Sequence, residues 1–192
     1  MRWLLLLLLT SCRVSDPVGA ACQDKLGLEI DSQFVAKERT EILTAIKEWR
    51  EAAEGKICFN ITWRDTSKDK ESYWTDGRHV IYSPRGYWQV AEALSVTSSL
   101  CSTPSACLGV TVWERDGASS DIFIFTMDLD NIRSIVEHEL GHMFGLSHNS
   151  DYDSIMYQTV AANKHIQAID KRNLACLIQD KMFLRYGHHC SR

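Results

Sequence analysis

The chain has 192 residues, 45% of them hydrophobic and 24% charged, which suits one globular domain with a core and excludes a disordered chain. Only 3 prolines and 10 glycines exclude collagen-like and low-complexity sequences, and a formal net charge of −4 gives no general electrostatic basis for a nucleic-acid partner. The unusual figure is 7 cysteines, an odd number and a high one for a reducing compartment.

The first element is an export signal. Met1-Arg2-Trp3 precedes six leucines, Leu4 to Leu9. A positive residue followed by a short apolar run has signal-peptide architecture. The run is too short to span a bilayer, which takes about 20 residues. Leu9-Thr10-Ser11-Cys12 resembles the bacterial lipobox, in which the cysteine is lipidated and becomes the new N-terminus. The alternative is cleavage near Val18-Gly19-Ala20, a small-x-small pattern that would leave Arg13 and Asp16 before the cut. The lipobox is the leading reading. It gives a signal peptide over 1–11, a linker with little pattern over 12–30, and a folded domain over 31–192. The expectation is an outer-membrane or cell-surface lipoprotein anchored through Cys12, with a periplasmic or secreted protein as the alternative.

Either cut leaves Cys22, Cys58, Cys101, Cys107, Cys176 and Cys190. In an oxidising compartment six cysteines suggest disulfides. Cys101 and Cys107 flank the turn-rich Ser-Thr-Pro-Ser-Ala and form the readiest pair.

Residues 34–54 repeat apolar side chains at helical spacing: Phe34, Val35, Ile42, Leu43, Ile46 and Trp49. Gly55 is placed to stop that helix. Ile57 to Trp63 alternates and reads as a strand, and His79 to Ser83 as another. Tyr87 to Leu94 suits a short helix. Leu108 to Glu114 is a further alternating strand. Asp121 to Thr126 is nearly all apolar, as in a strand buried on both faces. A helix then starts at Asp128 or Asp130, either of which is a good N-cap. A last helix runs from about Asp170 to Met182.

The chemistry sits in His138-Glu139-Leu140-Gly141-His142-Met143-Phe144-Gly145-Leu146-Ser147-His148. On a helix His138 and His142 lie on one face, one turn apart. Two such imidazoles can share a zinc ion, which favours tetrahedral N ligands and keeps a position open for water when catalytic. A straight helix would carry His148 out of reach. Gly145 permits a left-handed residue, so the chain can turn there and bring His148 back as a third ligand. Glu139 then stands beside the metal without needing to bind it. A carboxylate so placed can act as general base toward water attacking a carbonyl. The short H-E-x-x-H element alone is a weak signal. Adding Gly145 and His148 at their offsets cuts chance matches by roughly three orders of magnitude.

The pattern H-E-x-x-H-x-x-G-x-x-H is the signature of the metzincin zinc endopeptidases. Eight residues after His148, Met156 in Ser154-Ile155-Met156-Tyr157 resembles the Met-turn of that clan. The phrase and its offset to Met156 are closest to the matrixin pattern. The resemblance implies an α+β fold: a twisted, mixed β-sheet with an active-site helix, a Met-turn and a C-terminal helix. It implies an antiparallel edge strand near Leu108 to Glu114, with extended protein or peptide substrates paired along it. It also implies Zn2+ as cofactor, with His138, His142 and His148 as ligands and Glu139 as catalytic base. Two departures stand out. Asn149 replaces the usual serine after the last histidine. Gln158-Thr159-Val160 replaces the usual Pro-x-Tyr wall, so Tyr157, Gln158 and Val160 become the candidate pocket residues.

The leading functional expectation is a zinc-dependent endopeptidase. A zinc-stabilised exported binding module with little turnover is the alternative, supported only by the altered wall after Met156.

Overall fold

A computed structural model describes residues 25–68, 77–85, 108–113, 119–126, 128–159 and 164–179. The elements in chain order are β1 (Lys25–Asp31), α1 (Ala36–Ala52), β2 (Cys58–Arg64), a single 3-10 turn (Thr66–Lys68), β3 (Val80–Tyr82), β4 (Gly109–Trp113), β5 (Ser120–Ile124), α2 (Leu129–Met143) and α3 (Ala168–Gln179). The expected helix at 87–94 and the Cys101–Cys107 pair lie outside the described residues, as do Cys12, Val160 and Cys190. Cys58 and Cys176 are both disulfide-bonded. No helix among the described residues is long and apolar enough to cross a membrane.

The five strands form one sheet in the order β2-β1-β3-β5-β4. β1 pairs in parallel with both β2 and β3, and β3 pairs in parallel with β5. Among the described residues β4 alone runs antiparallel, at the edge beside β5, with Thr111 opposite Ile122. This is the mixed α+β sheet with an antiparallel edge strand that the sequence resemblance implied.

One expectation needs correction. The segment read as linker up to residue 30 becomes β1 from Lys25 onward. Leu26, Leu28 and Ile30 alternate with Gly27 and Glu29, which is the period of a strand. Leu28 and Ile30 are wholly buried in the main core. Gly27 and the charged flanks hid that period, because a short strand inside a sheet draws its stability from its neighbours rather than from its own composition.

Two apolar clusters lie on the two sides of the sheet. Ile81, Ile122 and Ile124 join Leu28 and Ile30 in the larger one, together with α1 and α2. Val80, Tyr82, Val110 and Phe123 form the smaller one. The alternation Val80-Ile81-Tyr82 therefore splits one strand between two cores. Tyr82 and Phe123 are paired across the strands and stacked at 4.8 Å. β5 is buried at all five positions, as its continuous apolar run suggested.

α1 positions α2. Val35 caps α1 without a side-chain acceptor, and Glu38 Oε2 accepts the Val35 N–H at 2.8 Å instead. Val35 and Leu43, read as part of the apolar face, are exposed, whereas Ile42, Ile46 and Trp49 are buried. The helix ends at Ala52, two residues before the 54 read from the sequence: Glu54 and Gly55 both take the left-handed conformation (φ 54° and 72°), and Gly55 N–H closes the turn on Arg50 O at 3.0 Å. Trp49 carries the contact to α2. Its Nε1 donates to Glu137 O at 2.7 Å, and its ring meets Phe144 edge-on at 5.4 Å.

Candidate metal centre

α2 begins as its sequence predicts. Asp128 is the N-cap, and its side chain accepts the Asp130 N–H at 3.1 Å. The helix ends in a Schellman turn. Gly145 takes φ 97° and donates to His142 O, while Leu146 donates to Gly141 O. That turn reverses the chain after Phe144 and returns His148 to the helix face carrying His138 and His142.

The three Nε2 atoms form a near-equilateral triangle. The separations are 3.1 Å for His138–His142, 3.1 Å for His142–His148 and 3.2 Å for His138–His148. The Nδ1 atoms face away. His138 Nδ1 meets Ile155 O at 2.7 Å, and His142 Nδ1 meets Leu146 O at 2.8 Å. A carbonyl only accepts, so both Nδ1 atoms carry the proton and both Nε2 atoms present bare lone pairs. Burial keeps these rings neutral. It lowers His138 to about 4 and His142 to about 3, and it lowers His148 as well. His148 can supply at most one proton to the triangle. Lone pairs held this close repel unless a cation lies between them. Tetrahedral zinc sets its imidazole nitrogens about 3.3 Å apart, close to the spacing here. The donor set therefore fits zinc, and the carbonyls of Ile155 and Leu146 fix the tautomer that zinc needs.

Glu139 lies beside this group, largely buried. Burial raises its pKa to about 7, against the hydrogen bond from Thr111. Thr111 Oγ1 donates to Glu139 Oε2 at 2.7 Å, which ties the carboxyl to β4. Gly109, two residues earlier on β4, makes room for it. A Cβ there would lie 3.0 Å from Glu139 Cγ and 2.7 Å from Ile135 Cγ2. The edge strand and the helix thus clamp the carboxyl from two sides.

Met156 is buried under the helix. A Cβ on Gly141 would fall 2.2 Å from its sulfur and 3.2 Å from Trp49 Cζ2. Only glycine between the two helix histidines lets the methionine seat there. The turn carrying Met156 is held by Ser154 and Asp170. Asp170, wholly buried on α3, accepts from Ser154 Oγ and from the Ile155 N–H at 3.1 Å. Ser154 Oγ in turn accepts the Met156 N–H at 2.9 Å. Asn149 closes the loop. It donates from Nδ2 to Ser154 Oγ at 2.6 Å and from its backbone to Met156 O at 3.0 Å.

The candidate pocket residues separate. Tyr157 is half-buried and packs against exposed Tyr152 at 5.4 Å, with Lys164 Nζ 4.9 Å from its ring centroid. Gln158 is exposed. Thr111, Gly109, Trp49, Ser154 and Asp170 were not singled out from sequence for the site. Gly141 could have been, because a small residue between two ligands signals close approach from below.

Fold and site together define a metzincin-type α+β domain with a three-histidine candidate metal centre. A matrixin family model matches residues 62–177, more than half the chain, and the protein belongs to the matrixin family, a family of metallopeptidases. Among curated proteins no significant match is found.

Proposed function

We propose that the protein is a zinc-dependent endopeptidase that hydrolyses internal bonds of extended peptides. The observation that carries this reading is the triangle of Nε2 lone pairs beside the buried Glu139 carboxyl. His138, His142 and His148 would hold zinc, which supplies polarisation of the scissile carbonyl and a lowered pKa for the attacking water. Glu139 accepts the water proton and passes it to the departing amine. Thr111 keeps the Glu139 carboxyl oriented by donating to Oε2. Substrate backbone pairs with the outer edge of β4, which among the described residues pairs only with β5. Tyr157, Gln158 and Val160 follow Met156 in the chain and are the residues proposed to shape the pocket.

The binding-module alternative draws no support from the site, since a buried and oriented Glu139 has no role in mere capture. A peptide-library cleavage assay with added zinc tests the reading. Cleavage abolished by a chelator, restored by zinc and lost in Glu139→Gln is the expected result. A zinc-loaded wild-type protein that cuts no peptide in the library would overturn it. Export is part of the proposal, and disulfide-bonded Cys58 and Cys176 support an oxidising compartment. Anchoring through Cys12 predicts that Cys12→Ala leaves the membrane fraction. Retention there would rule out the anchor.

A further inference from the structure

A second group of ligand-type side chains lies outside the site just described. Glu48 on α1, Glu137 on α2 and His165 in the segment leading into α3 place one ligand atom each within 4.8 Å of one another. The Glu137 side chain is wholly buried. Arg133 occupies one side of the cluster. Its guanidinium pairs with Glu48 Oε1 and, at 3.1 Å, with Glu137 Oε1. Among the described residues Glu48 Oε2, Glu137 Oε2 and His165 Nδ1 are buried atoms without a hydrogen-bond partner. His165 Nδ1 and Glu137 Oε2 stand 3.6 Å apart, too far for a hydrogen bond but suitable for two ligands of one ion.

Geometry points the same way. The ligand-type atoms of Glu48, Glu137 and His165 converge beside Arg133, close enough for one divalent cation to bridge them. One imidazole nitrogen with two carboxylate oxygens suits a zinc-like transition ion. Calcium would need six or more oxygens.

We infer that Glu48, Glu137 and His165 form a second divalent-cation site, of the zinc type, that pins α1, α2 and the approach to α3 together. The site is structural. It fixes α2 through the residue before His138 and needs no contact with substrate. Its existence does not depend on peptidase activity.

The test is metal stoichiometry on the full chain, after equilibration with zinc and removal of the free ion. Wild type should hold two equivalents. His148→Ala should hold one, and His148→Ala combined with His165→Ala should hold none. Glu48→Gln, which keeps shape and packing, should lose one equivalent while retaining peptide cleavage, and zinc should no longer raise its Tm to the wild-type extent. A wild-type protein that binds one equivalent overturns the site. So does a His165→Ala or Glu48→Gln protein that still binds two. Either result would mean that a shared proton or a water closes the gap.

Discussion

His79 and His138 are both buried histidines with a backbone partner at Nδ1, and the direction of that one hydrogen bond separates them. At His79 the Ser120 N–H donates to Nδ1 at 3.1 Å, so the lone pair is consumed inside the sheet. At His138 the ring donates to Ile155 O, so the lone pair is left on Nε2 and pointed at two others. Burial lowers the pKa of both rings and cannot tell them apart. A histidine is prepared as a ligand by a carbonyl behind it and by convergence in front of it.

The largest expected effects follow directly. His142→Ala should remove one equivalent of zinc and essentially all peptide cleavage, whereas His79→Ala should leave the zinc content unchanged. Equal zinc loss in both variants, by mass spectrometry under native conditions, would erase the distinction. Glu139→Gln should keep the metal and reduce kcat/KM by about 10²–10⁴-fold, the usual contribution of a positioned general base.

Gly141→Ala probes the support beneath the ligands. The new methyl would collide with the Met156 sulfur, and overpacking of this kind costs about 1–3 kcal/mol. A fall in Tm is expected together with weaker zinc retention, because Met156 sits under the helix that carries His138 and His142. Chemical denaturation with and without zinc separates the two effects. Unchanged stability would show that Met156 can move away freely.

These outcomes bear on what the sequence made legible. His138, His142, Glu139 and the Gly145 turn are local features, fixed by helical spacing and one left-handed residue, so their arrangement follows from the chain itself. β1 was harder to read: Leu26, Leu28 and Ile30 supply only three apolar positions, too short a run to stand out between Gly27, Glu29 and the charged flanks. The supports of the site were not legible, because they join distant segments. Trp49 reaches Glu137 O from another helix, Thr111 reaches Glu139 from the edge strand, and Asp170 reaches Ser154 from α3. Nothing in the spacing of these residues announces a partner; only the packed fold brings them together.

Thr111→Val sharpens the comparison at the catalytic carboxyl. It removes the hydroxyl that donates to Glu139 Oε2 while keeping the shape of the side chain. A hydrogen bond to a charged group contributes about 1.5–3 kcal/mol, so a drop in kcat/KM of roughly tenfold or more is expected. The pH profile gives the finer readout. The Thr111 bond holds the Glu139 pKa down, so its loss raises that pKa further. A general base works only when deprotonated. Its acid limb in kcat/KM should therefore move to higher pH in the variant, and an unmoved limb would detach Thr111 from the ionisation of Glu139.

The smallest effect belongs to His79 and is one of stability. Its folded pKa lies below the ordinary value near 6.5 because the ring is buried. The unfolded chain therefore binds a proton more readily than the folded one as the pH falls. The stabilisation from neutral His79 is full above about pH 6.5 and is lost on acidification toward the lower folded pKa. Protonation at Nδ1 would also cancel the bond from Ser120 N–H. His79→Gln, compared with wild type by urea unfolding from pH 7.5 to pH 5, should show a shallower loss of stability. Acid release of zinc affects both proteins alike, so the difference between the two curves isolates His79. Parallel curves would mean that His79 takes up its proton without disturbing the fold, and the contrast with His138 would then rest on lone-pair direction alone.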